Sequence, residues 1–348
     1  MLASSAKCEA SILSVSIRRN ISGGEGSARI PPGNDPYRKW FLENRERLEA
    51  AGQIGTFQNP EQEGSELAAV LEPFSLFRCE KTGFIYANPR LRPQAAAEYF
   101  SSDAVTRYFE VVEAPESIVF RQKNNYEPIA RFLTERLHAK SRLIEIGCGG
   151  GAFLEVLRNI GKFDVSGIEI ADGAVPFWKR RDLPVHKMVL EDFDTTKVPE
   201  FDIVLMWSVM DHFCDPLLAL RKCNGMLRLG GFIFIGNVNT DGFDHQCLGF
   251  DSATFSPPGR VNYYNKRSLA RHLELAGFEI VDIATPGVLD VDMVRDYWRS
   301  GGPNGRHLFL ENLILDETNA ATAAAFQDFL QKNKLSGYQR VLAQKIKN

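Results

Sequence analysis

The sequence predicts an α/β domain built on a doubly wound, mainly parallel sheet, with a small β-ribbon before it and a helical insertion near its end. Two observations lead to this fold class. From about Ser117 onward, short apolar segments of strand length alternate with segments of helix length, which is typical of β-α-β units covered on both faces. The 348 residues are enough for one such domain with a smaller appendage.

Residues 1–34 differ in composition from the rest of the chain. They are rich in Ser and Gly and show no sustained periodicity, which predicts a disordered tail. An organelle transit peptide is the alternative, since such peptides are rich in Arg and Ser. Glu9 and Glu25 weaken that alternative, because transit peptides are poor in acidic residues.

Residues 35–116 are predicted to contain a helix and the β-ribbon. Trp40, Phe41 and Leu48 share one face of a helix over 35–51. A Gly- and Gln-rich connector follows over 52–65. Alternating residues then predict two short strands around a tight turn, followed by a helix. The strands are 74–79 and 84–86, and the helix is 94–100.

Residues 117–348 are predicted to form the main domain. Its strands cover 143–146, 163–168, 184–188, 201–206 and 232–235, and its helices cover 124–137, 151–159, 173–181 and 216–227. Asn265 is the N-cap of a further helix, and Gly277 ends that helix in the left-handed conformation that glycine adopts without strain. The remaining predicted elements are a strand over 278–283, a helical insertion over 290–333 and a closing strand over 338–346.

Composition and charge exclude several classes of function. The formal net charge of -3 provides no basic field for nucleic acid. No apolar run approaches the roughly 20 residues that span a bilayer. The six cysteines show no paired spacing, so we expect no disulfide framework. These features predict a cytoplasmic protein with no nucleic-acid partner and no membrane span, and they leave its oligomeric state open.

A glycine-rich turn follows the strand 143–146. Gly147, Gly149 and Gly151 let the backbone turn sharply and let a ligand approach where a Cβ atom would collide. The following helix presents free amides and the positive end of its dipole. A nucleotide cofactor suits this strand–turn–helix unit, and the spacing to Ala152 also permits a dinucleotide.

Two acidic residues narrow the choice of cofactor. Glu169 ends the second strand, where a doubly wound fold places a carboxylate against ribose hydroxyls. Glu145 lies inside an apolar strand, where a carboxylate is costly unless it has a partner. An ammonium or sulfonium would be such a partner, and dinucleotides offer no such cation. Glu145 therefore favours S-adenosylmethionine.

The segments Phe201-Asp-Ile-Val, Asp211-His-Phe-Cys-Asp-Pro and Leu227-Arg-Leu-Gly-Gly resemble class I S-adenosylmethionine-dependent methyltransferases. These enzymes usually read Phe-Asp-x-Val, Glu-His, Asp-Pro and Leu-Lys-Pro-Gly-Gly. Together with residues 145–151, Glu169 and Gly277-Phe278, the resemblance covers roughly 124–283. Asp211 and Leu229 depart from the usual pattern, but neither lies in the glycine turn.

The resemblance implies a Rossmann-like fold and a role for each matched residue. The glycine turn would lie along the methionine and ribose, and Glu169 would hold the ribose diol. Either Glu191 or Asp192 would accept from the adenine amine. The expected cofactor-binding residues are Glu145, Gly147, Cys148, Gly149, Gly151, Glu169, Ile170, Glu191, Asp192, Phe193 and Trp207.

The ribbon around Cys79 and Thr82 is similar to a zinc-ribbon module that precedes the methyltransferase domain in some bacterial enzymes, including sugar C-methyltransferases. That module carries two cysteine pairs, whereas Thr82 replaces one cysteine here and no earlier pair exists. One thiolate cannot hold tetrahedral zinc, so we expect no metal. Segments 285–292 and 335–338 are similar to methyltransferases of sugars and surface polysaccharides.

Methyl transfer to a neutral hydroxyl or an acidic C–H group needs a general base. His212 is the first candidate, because the end of the fourth strand faces the cofactor crevice; the alternatives are packing against the next helix and a metal pair with Asp211. His245 and Tyr264 lie after the fifth strand, where loops of doubly wound folds contact acceptors. Ordinary loop packing is the alternative for both.

The sequence thus predicts transfer of a methyl group from S-adenosylmethionine to a small polar acceptor, with a sugar or sugar nucleotide as the first hypothesis. Alternatives are O-methylation of another small metabolite, a nicotinamide-dependent oxidoreductase and a non-catalytic scaffold with the same fold. The acceptor itself cannot be identified from the sequence.

Overall fold

The structure is a computed structural model that describes residues 36–302 and 308–347, so the predicted tail over 1–34 lies outside the described residues. The helices are α1 (Pro36–Ala50), α2 (Pro93–Phe100), α3 (Asp103–Val112), α4 (Pro115–Arg121), α5 (Glu127–Thr134), α6 (Ala152–Gly161), α7 (Val175–Arg180), α8 (Pro216–Met226), α9 (Phe243–Leu248), α10 (Lys266–Leu275), α11 (Asp290–Arg299), α12 (Leu308–Leu315) and α13 (Ala320–Lys332). The strands are β1 (Ile54–Gly55), β2 (Ser65–Leu71), β3 (Phe74–Cys79), β4 (Ile85–Asn88), β5 (Arg90–Leu91), β6 (Arg142–Ile146), β7 (Asp164–Glu169), β8 (Val185–Lys187), β9 (Phe201–Trp207), β10 (Leu227–Val238), β11 (Asn262–Tyr263), β12 (Phe278–Ala284) and β13 (Tyr338–Lys345).

A seven-stranded sheet in the order β12-β13-β10-β9-β6-β7-β8 forms the centre of the main domain. Its strands from β10 to β8 are parallel, whereas β13 runs antiparallel to both of its neighbours. This order confirms the predicted doubly wound, mainly parallel sheet. Because β13 is reversed, its first residue, Tyr338, pairs with Val238 at the edge where the parallel strands end.

Apolar layers cover both faces of this sheet. Leu143, Ile203 and Leu205 belong to one buried cluster, and Ile144 and Val204 belong to the other. Neighbouring residues of one strand therefore pack into opposite layers, which explains why β6 and β9 are mostly apolar rather than alternating; Arg142, Glu145 and Asp202 are their charged residues. The carboxyl ends of these strands form the crevice of the domain.

The ribbon is a four-stranded sheet in the order β11-β4-β3-β2, larger than the two strands that the sequence predicts. Its strand β11 comes from the main domain, so the ribbon and the main domain share one sheet. The sequence misses β2 because Leu67 and Val70 are 58% and 51% exposed on this edge strand. A strand without a buried face shows no alternation of apolar and polar residues.

The predicted helix over 124–137 has a different internal structure. A π-helical turn (Gln122–Tyr126) precedes α5, and α5 ends at Thr134. Pro128 lies in the first turn of α5 and has no backbone N–H, so it cannot donate to a preceding carbonyl and continue one regular helix. The predicted helical insertion consists of α11, α12 and α13, which share a small buried cluster around Val294 and Trp298. Within the described ranges, no helix combines the length and the apolar character needed to cross a bilayer.

A buried arginine joins the ribbon to the main domain. Arg90 is 1% exposed and donates to the carbonyl oxygens of Ala87, Cys214 and Val261 at 2.8, 2.9 and 2.8 Å. Its guanidinium also lies 3.7 Å from the ring centroid of Phe57. Burial lowers the pKa of Arg90 to about 10, so the side chain keeps its charge at neutral pH.

We expect the substitution Arg90→Leu to lower the free energy of unfolding by about 3 kcal/mol, because the buried carbonyls of Ala87 and Cys214 lose their donor. The exposed Arg92 provides a matched control, and Arg92→Leu should change stability by no more than about 0.5 kcal/mol. Denaturant titration of both variants measures this difference. Equal stability of the two variants would contradict the structural importance of Arg90.

Candidate active site

The crevice forms where the glycine turn after β6 meets the loop after β9. A Cβ atom at Gly147 would lie 2.5 Å from Cγ2 of Val209. Such a distance is too short for any side chain, so the two loops are in direct contact only because residue 147 is glycine. This contact brings the segment that carries His212 to the glycine turn.

The backbone of the turn requires glycine at three positions. Gly147, Gly149 and Gly151 have φ angles of +69°, +54° and +82°. Gly151 is the N-cap residue of α6, and a Cβ atom there would lie 2.4 Å from Cδ1 of Leu183. The chain's own packing therefore fills the space beside Gly147 and Gly151, whereas the sequence suggested that a ligand would need it. Gly149 is less crowded, with a ring carbon of Phe109 at 3.5 Å from its Cβ position.

Glu169 holds the glycine turn in place. Its Oε2 accepts from the Gly149 amide at 2.7 Å, and its Oε1 accepts from the amides of Ile170 and Ala171, both at 2.7 Å. The residue is 6% exposed. Burial raises the pKa of Glu169, although these amides and Lys187 oppose the shift by stabilising the carboxylate.

Glu145 has no such set of donors. It is 3% exposed, and within the described chain its Oε2 has no hydrogen-bond partner. Burial, assisted by the charge of Glu169, raises the pKa of Glu145 well above its ordinary value. A buried carboxyl group with an unsatisfied oxygen is costly, so this position favours a ligand with a hydrogen-bond donor or a positive charge.

Helix α3, which precedes the main domain in the chain, packs over the glycine turn. Phe109 lies over Gly149, and Glu113 lies beside Gly150. Arg181 connects the two segments, because its Nη2 lies 2.8 Å from Oε2 of Glu113 and its Nη1 donates to the Gly150 carbonyl at 2.8 Å. Sequence reasoning did not predict that α3 packs on the glycine turn, since nothing in the sequence of α3 distinguishes it from an ordinary amphipathic helix.

The remaining predicted cofactor residues surround the same edge of the sheet. Cys148 is 7% exposed, with its Sγ only 2.6 Å from the Cβ position of Gly167 in β7. The Ile170 carbonyl accepts from Ser101 Oγ at 3.3 Å, which joins the end of β7 to the segment before α3. Trp207 packs against Tyr338 with ring centroids 5.2 Å apart.

The acidic pair predicted to recognise adenine lies on a 3-10 turn (Leu190–Asp192) after β8. Asp192 is exposed and Glu191 is half-buried. Phe193 is 5% exposed and packs edge-on against His186. Asp192 is thus the more accessible of the two carboxylates.

His212 lies in the loop after β9, close to the end of α2. Its Nδ1 is 2.7 Å from the carbonyl oxygen of Gly259, so Nδ1 carries the proton that is donated to this oxygen. Its ring meets Phe100 edge-on at 5.3 Å. Burial lowers the pKa of His212, although Asp211 opposes the shift, so the imidazole is neutral at physiological pH. In this tautomer the lone pair is on Nε2.

Tyr264 and His245, predicted as further catalytic groups, have all their polar atoms engaged by the protein. The Tyr264 hydroxyl is 2.9 Å from Nδ1 of His272, and its ring is fully buried against Phe84 of the ribbon. The two ring nitrogens of His245 contact Asp244 Oδ1 at 3.0 Å and Thr254 Oγ1 at 3.1 Å. Both residues therefore match the packing alternative, and we do not retain them as catalytic candidates.

Two polar pairs, which sequence reasoning largely missed, lie at the loop that carries His212. Ser208 has a φ angle of +56°, unusual for a residue other than glycine, and its Oγ is 3.0 Å from the Tyr338 hydroxyl. Nε of Arg260 lies 3.7 Å from Oδ2 of Asp211. The available signal was weak: Tyr338 belongs to one of the segments similar to sugar methyltransferases, and Asp211 entered only as half of a metal pair.

In the ribbon, Cys79 and Thr82 contact a buried carboxylate. Oε1 of Glu61 accepts from Thr82 Oγ1 at 2.8 Å, and its Oε2 lies 3.5 Å from Cys79 Sγ. Nε2 of His272 approaches the same carboxylate at 3.4 Å, which links α10 to the ribbon. Over the described part of the chain, no group of three or more His, Cys, Asp or Glu side chains is arranged to hold a metal ion.

Comparisons with known proteins identify the domain around this crevice. Residues 119–283 match the family model of a methyltransferase domain. The chain is similar to the ubiquinone biosynthesis O-methyltransferase of Saccharophagus degradans, with 25% identity over 178 residues that cover 47% of this chain and 75% of the relative. The chain is an S-adenosylmethionine-dependent methyltransferase. This result confirms the predicted cofactor and decides against the oxidoreductase alternative.

Two further similarities extend the comparison. The ubiquinone biosynthesis O-methyltransferase of Xanthomonas campestris pv. campestris is 29% identical to this methyltransferase over 172 residues, which cover 46% of this chain and 69% of the relative. A solved structure of magnesium protoporphyrin IX methyltransferase from Synechocystis PCC 6803 with bound SAH aligns over 72% of this chain and 99% of that chain, with 10% identity and a TM-score of 0.47. The strands β2, β3 and β4 of the ribbon and the helical insertion lie outside the family match, which ends at residue 283, whereas β11 lies inside it.

We expect Gly147→Ala to destabilise the methyltransferase and to weaken S-adenosylmethionine binding by at least about tenfold, because the new Cβ displaces Val209 and the left-handed φ is strained. Thermal unfolding and calorimetric titration measure the two effects. The control is Gly225→Ala, a position in α8 with open space around it, where alanine should stabilise by about 1 kcal/mol. Unchanged cofactor binding by Gly147→Ala would contradict this role of the turn.

Proposed function

We propose that this methyltransferase transfers the methyl group of S-adenosylmethionine to a hydroxyl oxygen of a small polar acceptor, and that His212 is the general base. The observation that carries the proposal is the neutral imidazole of His212, whose tautomer is fixed by the Gly259 carbonyl. The relatives named as O-methyltransferases support oxygen as the attacked atom.

The residues of the crevice fit the cofactor. Oε2 of Glu145 lacks a partner and would accept from the ammonium of the methionine part. The glycine turn and Glu169 would hold the ribose, and Asp192 would reach the adenine amine. When bound, the cofactor supplies an electrophilic methyl group on a sulfonium. The protein must hold the acceptor hydroxyl in line with that methyl group and remove the hydroxyl proton.

His212 suits the removal of this proton for two reasons. First, the Nδ1–H donor fixes the ring orientation and leaves Nε2 as the basic nitrogen. Second, the contact of Val209 with the position of Gly147 places the His212 loop next to the cofactor turn. A buried, neutral imidazole is a better base near neutral pH than one that is already protonated.

The acceptor side of the crevice is polar, which supports an acceptor with several hydrogen-bonding groups. Ser208, Asp211, Arg260 and Tyr338 all contribute polar atoms there. A sugar hydroxyl and a phenol hydroxyl both satisfy this requirement, and a phenol would ionise more readily. Assays with S-adenosylmethionine and a panel of sugars, sugar nucleotides and catechols distinguish them by the methylated product. No O-methylated product from any hydroxyl compound, combined with methylation of an amine or a thiol, would refute the proposal.

We expect His212→Asn to reduce kcat by about 100-fold or more, because the general base is lost while the cofactor site is unchanged. In the unsubstituted enzyme, kcat should fall with decreasing pH as His212 takes up a proton, with a midpoint below the ordinary histidine pKa of about 6.5. This acidic limb should be absent from His212→Asn. His138→Asn, an exposed histidine, is the control and should leave kcat and its pH profile unchanged.

We also expect S-adenosylmethionine binding to release a proton. Burial raises the pKa of the Glu145 carboxyl, whereas an adjacent ammonium favours the carboxylate and so lowers this pKa on binding. Affinity should therefore increase as the pH rises through the raised pKa. Calorimetry in buffers of different ionisation enthalpy measures the released proton.

Two controls isolate the effect of Glu145. The release should disappear in Glu145→Gln, and it should be absent with methylthioadenosine, which lacks the ammonium. Equal proton release with methylthioadenosine and S-adenosylmethionine would show that Glu145 does not contact the ammonium.

A further inference from the structure

The acceptor side of the crevice contains a split ion pair, formed by Arg260 and Asp211. Nε of Arg260 and Oδ2 of Asp211 are 3.7 Å apart, which is too long for a hydrogen bond. Asp211 is 1% exposed, and in the described ranges its Oδ1 has no hydrogen-bond partner. A buried carboxylate and a guanidinium this close would ordinarily form direct hydrogen bonds.

Within the described residues, the guanidinium of Arg260 also forms no hydrogen bond. Its side chain is 32% exposed, and for the residues that the structure describes, Asp211 is the one group to which this side chain forms an ion pair or hydrogen bond. A guanidinium presents five N–H donors in a planar fork that suits an oxyanion. Several of these donors are therefore available to a molecule that enters from the solvent side.

Main-chain contacts fix the backbone on which the two residues lie. The Val261 amide donates to the Asp211 carbonyl at 2.8 Å, and the Tyr263 hydroxyl donates to the Arg260 carbonyl at 2.5 Å. The carbonyl of Val261 also accepts from Arg90. Both partners of the split pair thus lie on fixed backbone segments, so the fold keeps the guanidinium and the carboxylate beside each other.

The pair lies among groups that the proposed reaction uses. Asp211 directly precedes His212 in the chain, and Gly259, whose carbonyl accepts from Nδ1 of His212 at 2.7 Å, directly precedes Arg260. Tyr338 and Ser208 form the hydroxyl pair beside them. A ligand that touches Arg260 can therefore reach His212.

We propose that Arg260 and Asp211 form an acceptor subsite for a hydroxyl compound that also carries an oxyanion, either a carboxylate or a phosphate. The oxyanion accepts from the guanidinium of Arg260, and a hydroxyl of the same molecule donates to the free Oδ1 of Asp211. The subsite rests on the proposed function, because it assumes that the acceptor binds beside His212. The subsite further implies that hydroxyl compounds without a negative charge are poor acceptors.

Binding to the complex with S-adenosylhomocysteine tests this subsite without requiring turnover. Calorimetric titrations compare glucose with glucuronate and glucose phosphate, and catechol with protocatechuate. In at least one set, an anionic member should bind about tenfold more tightly than its neutral counterpart, as expected for a hydrogen bond to a charged group. The two glucose derivatives distinguish a carboxylate from a phosphate.

The Arg260→Gln variant should lose this preference for the anion, Arg260→Lys should keep part of it, and neutral members should bind as before. Arg271→Gln is the matched control, because Arg271 on α10 has a similar exposure of 35% and pairs with Glu274. Its anion preference should equal that of the unsubstituted enzyme. Thermal unfolding checks that all three variants are folded.

The two proposals fail in different ways. Equal binding of anionic and neutral members in every set, or an anion preference that survives in Arg260→Gln, would overturn the subsite. Methylation of neutral members in the same experiment would still support the proposed function. Conversely, an anion preference that depends on Arg260, without any O-methylated product, would support the subsite and count against the proposed reaction.

Discussion

The guanidinium of Arg90 fixes three segments of the chain at one point, and the shape of the acceptor side depends on this contact. Its donors reach the ribbon at Ala87, the segment after His212 at Cys214 and the segment after Arg260 at Val261. Burying a charge without a carboxylate is costly, and among the described residues no carboxylate forms an ion pair with it. Three carbonyl oxygens and the face of Phe57 offset this cost. The ribbon is consequently joined to the two loops of the proposed acceptor side by one buried side chain.

The crevice has two sides that differ in how their polar groups are satisfied. On the cofactor side, Glu169 binds three backbone amides and Glu145 keeps one oxygen free. On the acceptor side, Asp211 keeps one oxygen free beside a guanidinium that it does not reach. Orphaned oxygens on buried carboxylates are rare in folded proteins, because each costs free energy. Both proposed ligand contacts would satisfy one of these oxygens.

Sequence reasoning succeeded where a structural requirement is local. Continuous apolar runs predicted β6 and β9, and positive φ angles at the glycine turn require the glycines that the sequence contains. It failed where a contact depends on distant segments. The strand β2 is exposed and shows no pattern, and β11 pairs with β4 although β6 to β10 lie between them in the sequence. Tyr264 and His245 were chosen from their place in a loop, but the partners that engage them, His272 and Asp244 among others, depend on packing.

The sequence by itself determined the doubly wound sheet, the glycine turn and the choice of S-adenosylmethionine, because apolar periodicity, left-handed glycines and a carboxylate within an apolar strand are properties of neighbouring residues. Only the tertiary structure decided which polar groups share the crevice. His212, Arg260 and Tyr338 are far apart in the chain, and they meet because β13 runs antiparallel to β10 and because Arg90 holds two loops together. Burial also decided which of these groups are neutral or unsatisfied, since desolvation depends on all surrounding atoms and not on sequence spacing.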